Sequence, residues 1–285
     1  MVAKIIDGKA VSHYVRQDCK KWTDALIAKG VTPGLAVIIV GDNPASKVYV
    51  ANKVKACHEV GLHSIVYAFD TNTSDHLVFE KILALNADPS VHGILVQLPL
   101  PKHFDVRRIL GAISVDKDVD GFHLYNVGAL AQGETVFPPC TPYGVSKMLE
   151  YENIPVEGQN VVVVGASNIV GKPMAMMLMQ RDATVCICHA KTRDLAQFTI
   201  LADILVVAAG VPNLILPQMV RTGSVVIDVG INRLPGGKLV GDVDFEGVRQ
   251  KASHISPVPG GVGPMTITML VHNTVQAAKR SIGEM

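Results

Sequence analysis

The chain lacks any apolar run near the roughly 20 residues that a membrane-crossing helix needs. Nor does a basic, then apolar, then small-residue succession open it, since the sequence enters directly on Lys-Ile-Ile-Asp-Gly at 4–8. A membrane partner is therefore not expected, and a cytoplasmic protein is. Aromatic residues make up 5% of the chain and net charge is only +1. No Lys/Arg run with interleaved aromatics occurs, which excludes nucleic acid as an expected partner. Cysteines number five, an odd count, with no second Cys or His pair at zinc spacing; no metal is expected, and the scatter suits a reducing compartment. Cys186 and Cys188 lie two apart on an expected strand, so they share a face and read as small core residues. Asn72-Thr-Ser is formally a glycosylation sequon, which carries no meaning without a secretory leader.

What is present describes an ordinary globular chain of 285 residues, 48% hydrophobic and 18% charged, long enough for one large or two medium domains. Strand-like runs at 35–40, 63–69 and 93–96 alternate with helical stretches at 45–60 and from the Ser74 cap to about 86. A helix over about 143–152 leads to a second series of strands at 161–164, 184–188, 204–208 and 225–229. Such alternation implies parallel sheets with helices on both faces. The expected fold is α/β: two α/β domains, 1–140 and 141–265, the second a Rossmann-like doubly wound parallel sheet, with a cleft between them. An amphipathic helix over about 266–280 closes the chain. The methionines 174, 176, 177 and 179 read as core filler on a helix packed against a sheet.

Four valines at 161–164 run into Gly-Ala-Ser-Asn-Ile-Val-Gly-Lys-Pro at 165–173. A buried parallel strand opening through a Gly-rich turn into a helix offers backbone N–H groups to a phosphate. The usual dinucleotide fingerprint wants glycine at its first, third and sixth positions; here Gly165, Ser167 and Val170 hold them, and Gly171 comes one place late. A plain α/β turn without ligand fits the same pattern. The next strand ends at His189, Ala190, Lys191, Thr192 and Arg193, where an acid would grip a ribose hydroxyl. Cations and a hydroxyl there favour a 2′-phosphate, hence NADP over NAD.

In the first domain Tyr49 and Lys53 are one helical turn apart and share a face. A Lys acts as a base only when deprotonated, which needs desolvation or a cationic neighbour. From spacing alone, the preferred reading is a surface Lys resting on an aromatic ring. Tyr-x-x-x-Lys also marks short-chain dehydrogenases, but there the Gly-rich turn precedes the pair, and here it follows by more than a hundred residues. Gln97 stands at the C-terminal tip of a buried strand, aimed into the expected cleft. Asp-Lys-Asp-Val-Asp-Gly at 116–121 opens like a calcium loop, but its twelfth position is Val127 where a bidentate Glu belongs. Asp120 is thereby left for a ligand role or a turn cap. The stretch 257–266 combines close-approach glycines with rigid prolines and opens a helix; it suits a ligand lying on backbone or a rigid connector.

Together these motifs resemble the bifunctional methylenetetrahydrofolate dehydrogenase/methenyltetrahydrofolate cyclohydrolase family of the bacterial FolD type. The likeness spans essentially the whole chain, through Ser-Lys-Val-Tyr-Val-Ala-Asn-Lys at 46–53, Val-Gln-Leu-Pro-Leu-Pro at 96–101 and Asp-Lys-Asp-Val-Asp-Gly-Phe-His at 116–123. It continues in the turn at 165–173, Asp-Val-Gly-Ile-Asn-Arg at 228–233 and Pro-Gly-Gly-Val-Gly-Pro-Met-Thr at 259–266. The resemblance implies hydride transfer from 5,10-methylenetetrahydrofolate to NADP, followed by hydrolysis to 10-formyltetrahydrofolate. It implies Lys53 as the main catalytic residue, Gln97 setting its protonation, Tyr49 stacking on the folate and Asp120 anchoring the pterin ring. Val96, Leu98, Pro259, Gly260 and Gly261 would complete the folate site. Gly165, Ala166, Ser167, His189, Lys191, Ile231 and Thr266 would line the dinucleotide, while Lys172 and 189–193 transfer least directly. The resemblance further implies that the last helix, about 266–285, completes a folate-binding catalytic domain, and that homodimers form through the NADP-binding domain.

Three other readings stand beside this one. A dehydrogenase of the same plan acting on an amino acid or a shikimate relative explains the nucleotide turn, but not Tyr49, Lys53, Gln97 and Asp120 together. A monofunctional dehydrogenase of the same family is the second. A catalytically silent dinucleotide-binding module is the third, and it has no chemical need of Lys53 and Gln97.

Overall fold

The computed structural model describes residues 2–284; Met1 and Met285, the ends of the expected first domain and final helix, lie outside the described residues. Strand β1 (Lys4–Ile5) precedes helix α1 (Gly8–Ala28). Asp7 starts that helix, its Oδ1 accepting the Lys9 N–H at 2.9 Å. Next come β2 (Gly34–Val40), α2 (Pro44–Val60), β3 (His63–Phe69), α3 (Asp75–Ala87) and β4 (Gly93–Val96), then α4 (Val106–Gly111) and α5 (Leu124–Gln132). Helix α6 (Cys140–Tyr151) leads to β5 (Asn160–Val164), α7 (Gly171–Met179), β6 (Thr184–Cys188), α8 (Ala196–Thr199), β7 (Ile204–Val207) and β8 (Val225–Asp228). A hairpin of β9 (Asn232–Arg233) and β10 (Leu239–Val240), then α9 (Phe245–Arg249), β11 (His254–Ile255) and α10 (Val262–Ser281), finish the chain.

Two compact units result. One holds Tyr14–Cys140 and the C-terminal segment from Ile267; the other holds Thr141–Thr266 and the N-terminal segment ending at His13. In the first, β3-β2-β4 form a parallel sheet. Central β2 is buried along its whole length, whereas edge strand β3 is half exposed, as a one-sided edge must be. Ile38, Ile82, Ile94 and Ile109 lie in its core, each fully buried and each stabilising by roughly 1.5–3 kcal/mol. Helix α2 is defined at both ends: the Asn43 side chain caps Ala45 and Ser46, and Gly61 closes it at φ 85°.

The second unit is a parallel sheet of order β1-β11-β8-β7-β5-β6. The chain passes from β5 out to β6 and back past β5 to β7, so a topological switch point falls between β5 and β7. Here the structure differs from the sequence expectation. The first residues, expected in the first domain, belong to this sheet, because Lys4 and Ile5 pair with His254 and Ile255. Two-residue strands carry no periodicity to reveal them. The last helix starts at Val262, four residues early, since Pro264 sits in its first turn, where no N–H is needed. Met174 is buried as core filler, but Met179 at the helix end is 52% exposed. Cys188 is buried and Cys186 packs partly against the same cluster. Among the described residues no helix is long and apolar enough to cross a membrane.

Candidate active site

In the first unit, the C-terminal end of β4 delivers Gln97, and helix α2 carries Tyr49 and Lys53. Backbone N–H of Gln97 donates to Ile38 O at 2.8 Å, extending the β2–β4 ladder by one residue. The Gln97 side chain therefore stands at the strand tip. Its Nε2 donates to Leu98 O at 2.7 Å, which fixes the amide so that Oε1 accepts from Lys53 Nζ at 3.0 Å. Leu98 precedes Pro99 in a cis peptide, and Val96 is buried just before Gln97.

Lys53 is 7% exposed. Burial pushes its pKa below the usual lysine value, opposed by the Asp120 carboxylate. Asp120 is shifted in the opposite sense: burial raises it, while Lys53 and a hydrogen bond from the Cys140 thiol pull it down. Burial thus disfavours charge on both groups, and each partly restores the charge of the other. Tyr49, one turn before Lys53, is partly buried, and burial raises its phenol pKa. The preference for a surface Lys, drawn from spacing alone, fails because Lys53 is buried and its bonded partner Gln97 lies 44 positions away.

Three residues that sequence reasoning passed over hold Asp120 in place. Asp118 accepts from Phe122 N at 3.3 Å, His123 N at 2.8 Å and Asn126 Nδ2 at 2.8 Å, closing the turn around Asp120. Gly121 at φ 75° lies under the Phe137 carbonyl, where a Cβ would meet the oxygen at 2.6 Å. Asn273 on α10 donates to Val119 O and Pro138 O at 2.9 and 3.0 Å. Cys140 is buried beside Asp120, and burial raises its thiol well above the usual range. The only sequence signal for these was the acid-rich 116–121 run itself.

In the second unit, Gly165 ends β5 at φ 120°, where a Cβ would lie 2.1 Å from Ala208 O. Gly171 opens α7 with its Cβ direction 1.8 Å from Gly165 O. Both positions admit only glycine, and the turn leaves Ala166 partly buried and Ser167 exposed. Ser167, expected on the dinucleotide, uses its Oγ to accept Val170 and Gly171 N–H at 3.1 and 3.4 Å, capping α7. At the end of β6, His189 N donates to Thr192 Oγ1 and His189 Nδ1 accepts from Lys191 N. His189, Lys191 and Arg193 are exposed. The next acid in sequence, Asp194, accepts from Gln197 Nε2 at 2.7 Å.

Pro259, Gly260 and Gly261 belong to this second unit rather than to the Lys53 cluster. Val258–Pro259 is cis, and Gly8 packs so closely on Gly261 that a Cβ would meet its carbonyl oxygen at 1.8 Å. Exposed Ile231 lies beside Gly263, and Thr266 Oγ1 bonds Thr141 Oγ1 at 2.9 Å. The structure thus gathers Lys53, Gln97 and Asp120 in one unit, with Tyr49, Val96 and Leu98 on the same elements. It gathers Gly165, Ala166, Ser167, Ile231 and the 259–266 segment in the other.

Residues 6–120 match the catalytic domain of the tetrahydrofolate dehydrogenase/cyclohydrolase family, and residues 139–282 match its NAD(P)-binding domain. The chain belongs to this family. A bifunctional protein FolD from Nitrosospira multiformis is 62% identical over 281 residues, covering 99% of this chain and 98% of that one. A crystal structure of the FolD methylenetetrahydrofolate dehydrogenase/cyclohydrolase of Campylobacter jejuni is 54% identical, with a TM-score of 0.96 over 98% of this chain and 99% of that one. The Trypanosoma brucei dehydrogenase-cyclohydrolase, solved with NADP and an inhibitor, is 37% identical, with a TM-score of 0.96 over 99% of each chain. Family membership gives the Lys53 cluster a catalytic-domain setting and the 165–171 turn an NAD(P)-binding one.

Proposed function

We propose that this enzyme oxidises 5,10-methylenetetrahydrofolate with NADP and hydrolyses the resulting 5,10-methenyl compound to 10-formyltetrahydrofolate, with Lys53 moving the protons. The observation that carries this reading is a buried lysine, bonded to an oriented glutamine and poised against Asp120. A group already driven towards its neutral form can serve as a base near neutral pH.

In hydrolysis, water adds to the carbon bridging N5 and N10. The Lys53 amine takes one proton from that water and returns a proton to N5 as the carbon–N5 bond breaks. The other proton leaves to solvent. Gln97 accepts from the Lys53 ammonium and keeps the amine aimed. Asp120 accepts two pterin N–H groups, a geometry suited to a carboxylate. Tyr49 stacks on the folate, and Val96 and Leu98 line it. The C-terminal segment from Ile267 packs with the substrate domain and completes it.

When bound, NADP supplies the acceptor for the hydride leaving the methylene carbon. The glycine-only contacts at Gly165 and Gly171 fit a dinucleotide, since they let backbone approach a phosphate. Ala166, Ser167, Ile231 and Thr266 would hold it. Because Ser167 already caps α7, phosphate contacts fall to the turn backbone at 166–169 rather than to the first helical N–H groups. His189 and Lys191, exposed at the end of β6, favour the 2′-phosphate of NADP.

We assign a homodimer to the exposed edge strand β6. Ile187 on it and Leu201 near it, 41% and 65% exposed, form an apolar edge that water does not favour. Five free cysteines, four of them buried, suit a cytoplasmic setting.

The test uses purified protein with 5,10-methylenetetrahydrofolate and either NADP or NAD, following reduced cofactor, methenyl and 10-formyl products separately. Reduced NADP with 10-formyl product formed faster than unaided hydrolysis is the expected result. Accumulating methenyl compound points to a dehydrogenase alone, and higher kcat/KM with NAD overturns the cofactor assignment. Lys53→Met abolishes hydrolysis and strongly weakens oxidation; hydrolysis near the wild-type rate removes Lys53 from its role.

A further inference from the structure

Two buried carboxylates lie outside the Lys53 cluster, one of them bonded to the backbone of the other. Asp228, the last residue of β8, is 4% exposed, and Asp242, just after β10, is fully buried. Asp228 Oδ1 accepts from Gly230 N and Asp242 N, both at 3.0 Å, and its Oδ2 accepts from Val243 N at 3.0 Å. Asp242 Oδ2 accepts from Ala209 N at 2.7 Å and Gly210 N at 2.8 Å, while its Oδ1 accepts from Asn232 Nδ2 at 2.8 Å. Six N–H groups thus converge on two anions.

The surrounding glycines are shaped by these carboxylates. A Cβ at Gly230 would meet Asp242 Oδ1 at 2.2 Å, and one at Gly241 would meet Asp228 Oδ2 at 1.8 Å. No side chain other than hydrogen fits at either place. The donors lie largely in the segments that follow β7 and β8, and β7 is next to β5, whose end opens the dinucleotide turn. Gly230 and Asn232 bracket exposed Ile231, and Ala209 follows the Ala208 carbonyl against which Gly165 is packed.

We infer that Asp228 and Asp242 are positioning residues for the dinucleotide, holding Ile231 and the 208–210 backbone at the surface where the cofactor lies. The assignment rests on the NADP reading given above. Neither residue touches the reacting atoms; each acts through the backbone that it fixes. Burying two carboxylates to order two short loops is costly unless every lone pair is used, and here three N–H groups meet each.

Geometry separates the two. Asn at 242 can keep its oxygen on Ala209 and Gly210 and offer its NH2 to Asn232, whose amide can turn to accept. Asn at 228 has no such option, since backbone N–H groups face both of its oxygens and one must lose its acceptor. If charge alone mattered, both Asn variants would fail alike.

The experiment measures NADP affinity by calorimetry and, separately, hydrolysis of 5,10-methenyltetrahydrofolate without nicotinamide. Asp242→Ala and Asp228→Asn each weaken NADP binding by about tenfold or more, the loss expected when buried N–H groups lose acceptors. Asp242→Asn stays within about threefold of wild type, a rescue that the paired amides allow. Hydrolysis persists in all three. Should Asp242→Ala fail to fold, Asn232→Ala removes one bond at a partly buried site and is expected to weaken NADP several-fold. Wild-type NADP affinity in Asp242→Ala and Asp228→Asn, or in Asn232→Ala if that variant stands in, overturns the inference. So does parallel loss of hydrolysis in the folded variants. Wild-type protein that binds no NADP overturns the cofactor reading instead.

Discussion

Gln97→Glu places a negative charge where a neutral amide oxygen now accepts from Lys53 Nζ at 3.0 Å. Two unit charges that close attract by about 5 kcal/mol at an effective dielectric constant of about 20. Part of that is lost to desolvating the new carboxylate, and to the Leu98 carbonyl, which loses its donor. If half survives, the Lys53 pKa rises by about two units, since 1.36 kcal/mol corresponds to one. Near neutral pH the free amine then becomes about a hundredfold scarcer. The expected outcome is a loss of hydrolysis of about that size, with the pH–rate profile moved upwards and the rate recovering in alkali. The assay follows loss of the methenyl chromophore across pH, with a thermal melt to show that the variant is folded. A folded Gln97→Glu enzyme that hydrolyses within about twofold of wild type at pH 7 would refute the neutral-amine argument.

Three more outcomes follow from the geometry. Gly171→Ala drives a methyl into the Gly165 carbonyl, 1.8 Å from its Cβ position; overpacking of roughly 3 kcal/mol is expected to raise the NADP dissociation constant about a hundredfold, and an unchanged titration would refute it. Ile187→Arg with Leu201→Glu charges the β6 edge, so sedimentation equilibrium should move from a dimer to the 30.4 kDa chain mass, and a dimer persisting in the variant counts against that edge. Asp228 has its pKa raised by burial to about 6. A carboxyl raised in the folded state contributes stability that is full below its unfolded value near 3.9 and is lost as pH climbs through about 6, roughly 3 kcal/mol in all. Urea unfolding of wild type and Asp228→Asn between pH 4 and 7 should therefore diverge by that amount, and parallel curves would remove the effect.

The long elements were legible because each carries its own signal. Asn43-Pro44 opens α2, Ser74 caps α3 with Leu77 N at 3.4 Å, and the valines of β5 are buried as their run implies. The 21-residue helix α1 went unread although Asp7 caps it, because Asp-Gly is also a turn signal and Gly8 is a poor first helical residue. Strands β1 and β11 are two residues each and exist only because the sheet accepts them. Lys53 was named by likeness, not by pattern: its bonded partner Gln97 and the opposing Asp120 carboxylate are far from it in sequence. The Asp228–Asp242 pair left no period at all, only two acids each beside a glycine-flanked strand end.

The pairing of Lys4 and Ile5 with His254 and Ile255 constrains how the chain is born. During synthesis β1 is made some 250 residues before its partner β11. The unit built on β2, β3 and β4 waits as well, because Asn273 reaches its Val119 and Pro138 carbonyls only from the final helix. Domains commonly fold as units in the order in which they are made. Here that order fails, since the unit holding β1 waits for β11 and the other waits for α10. A truncated chain ending after 250 residues should therefore be a substrate for chaperones and proteases rather than a working half-enzyme.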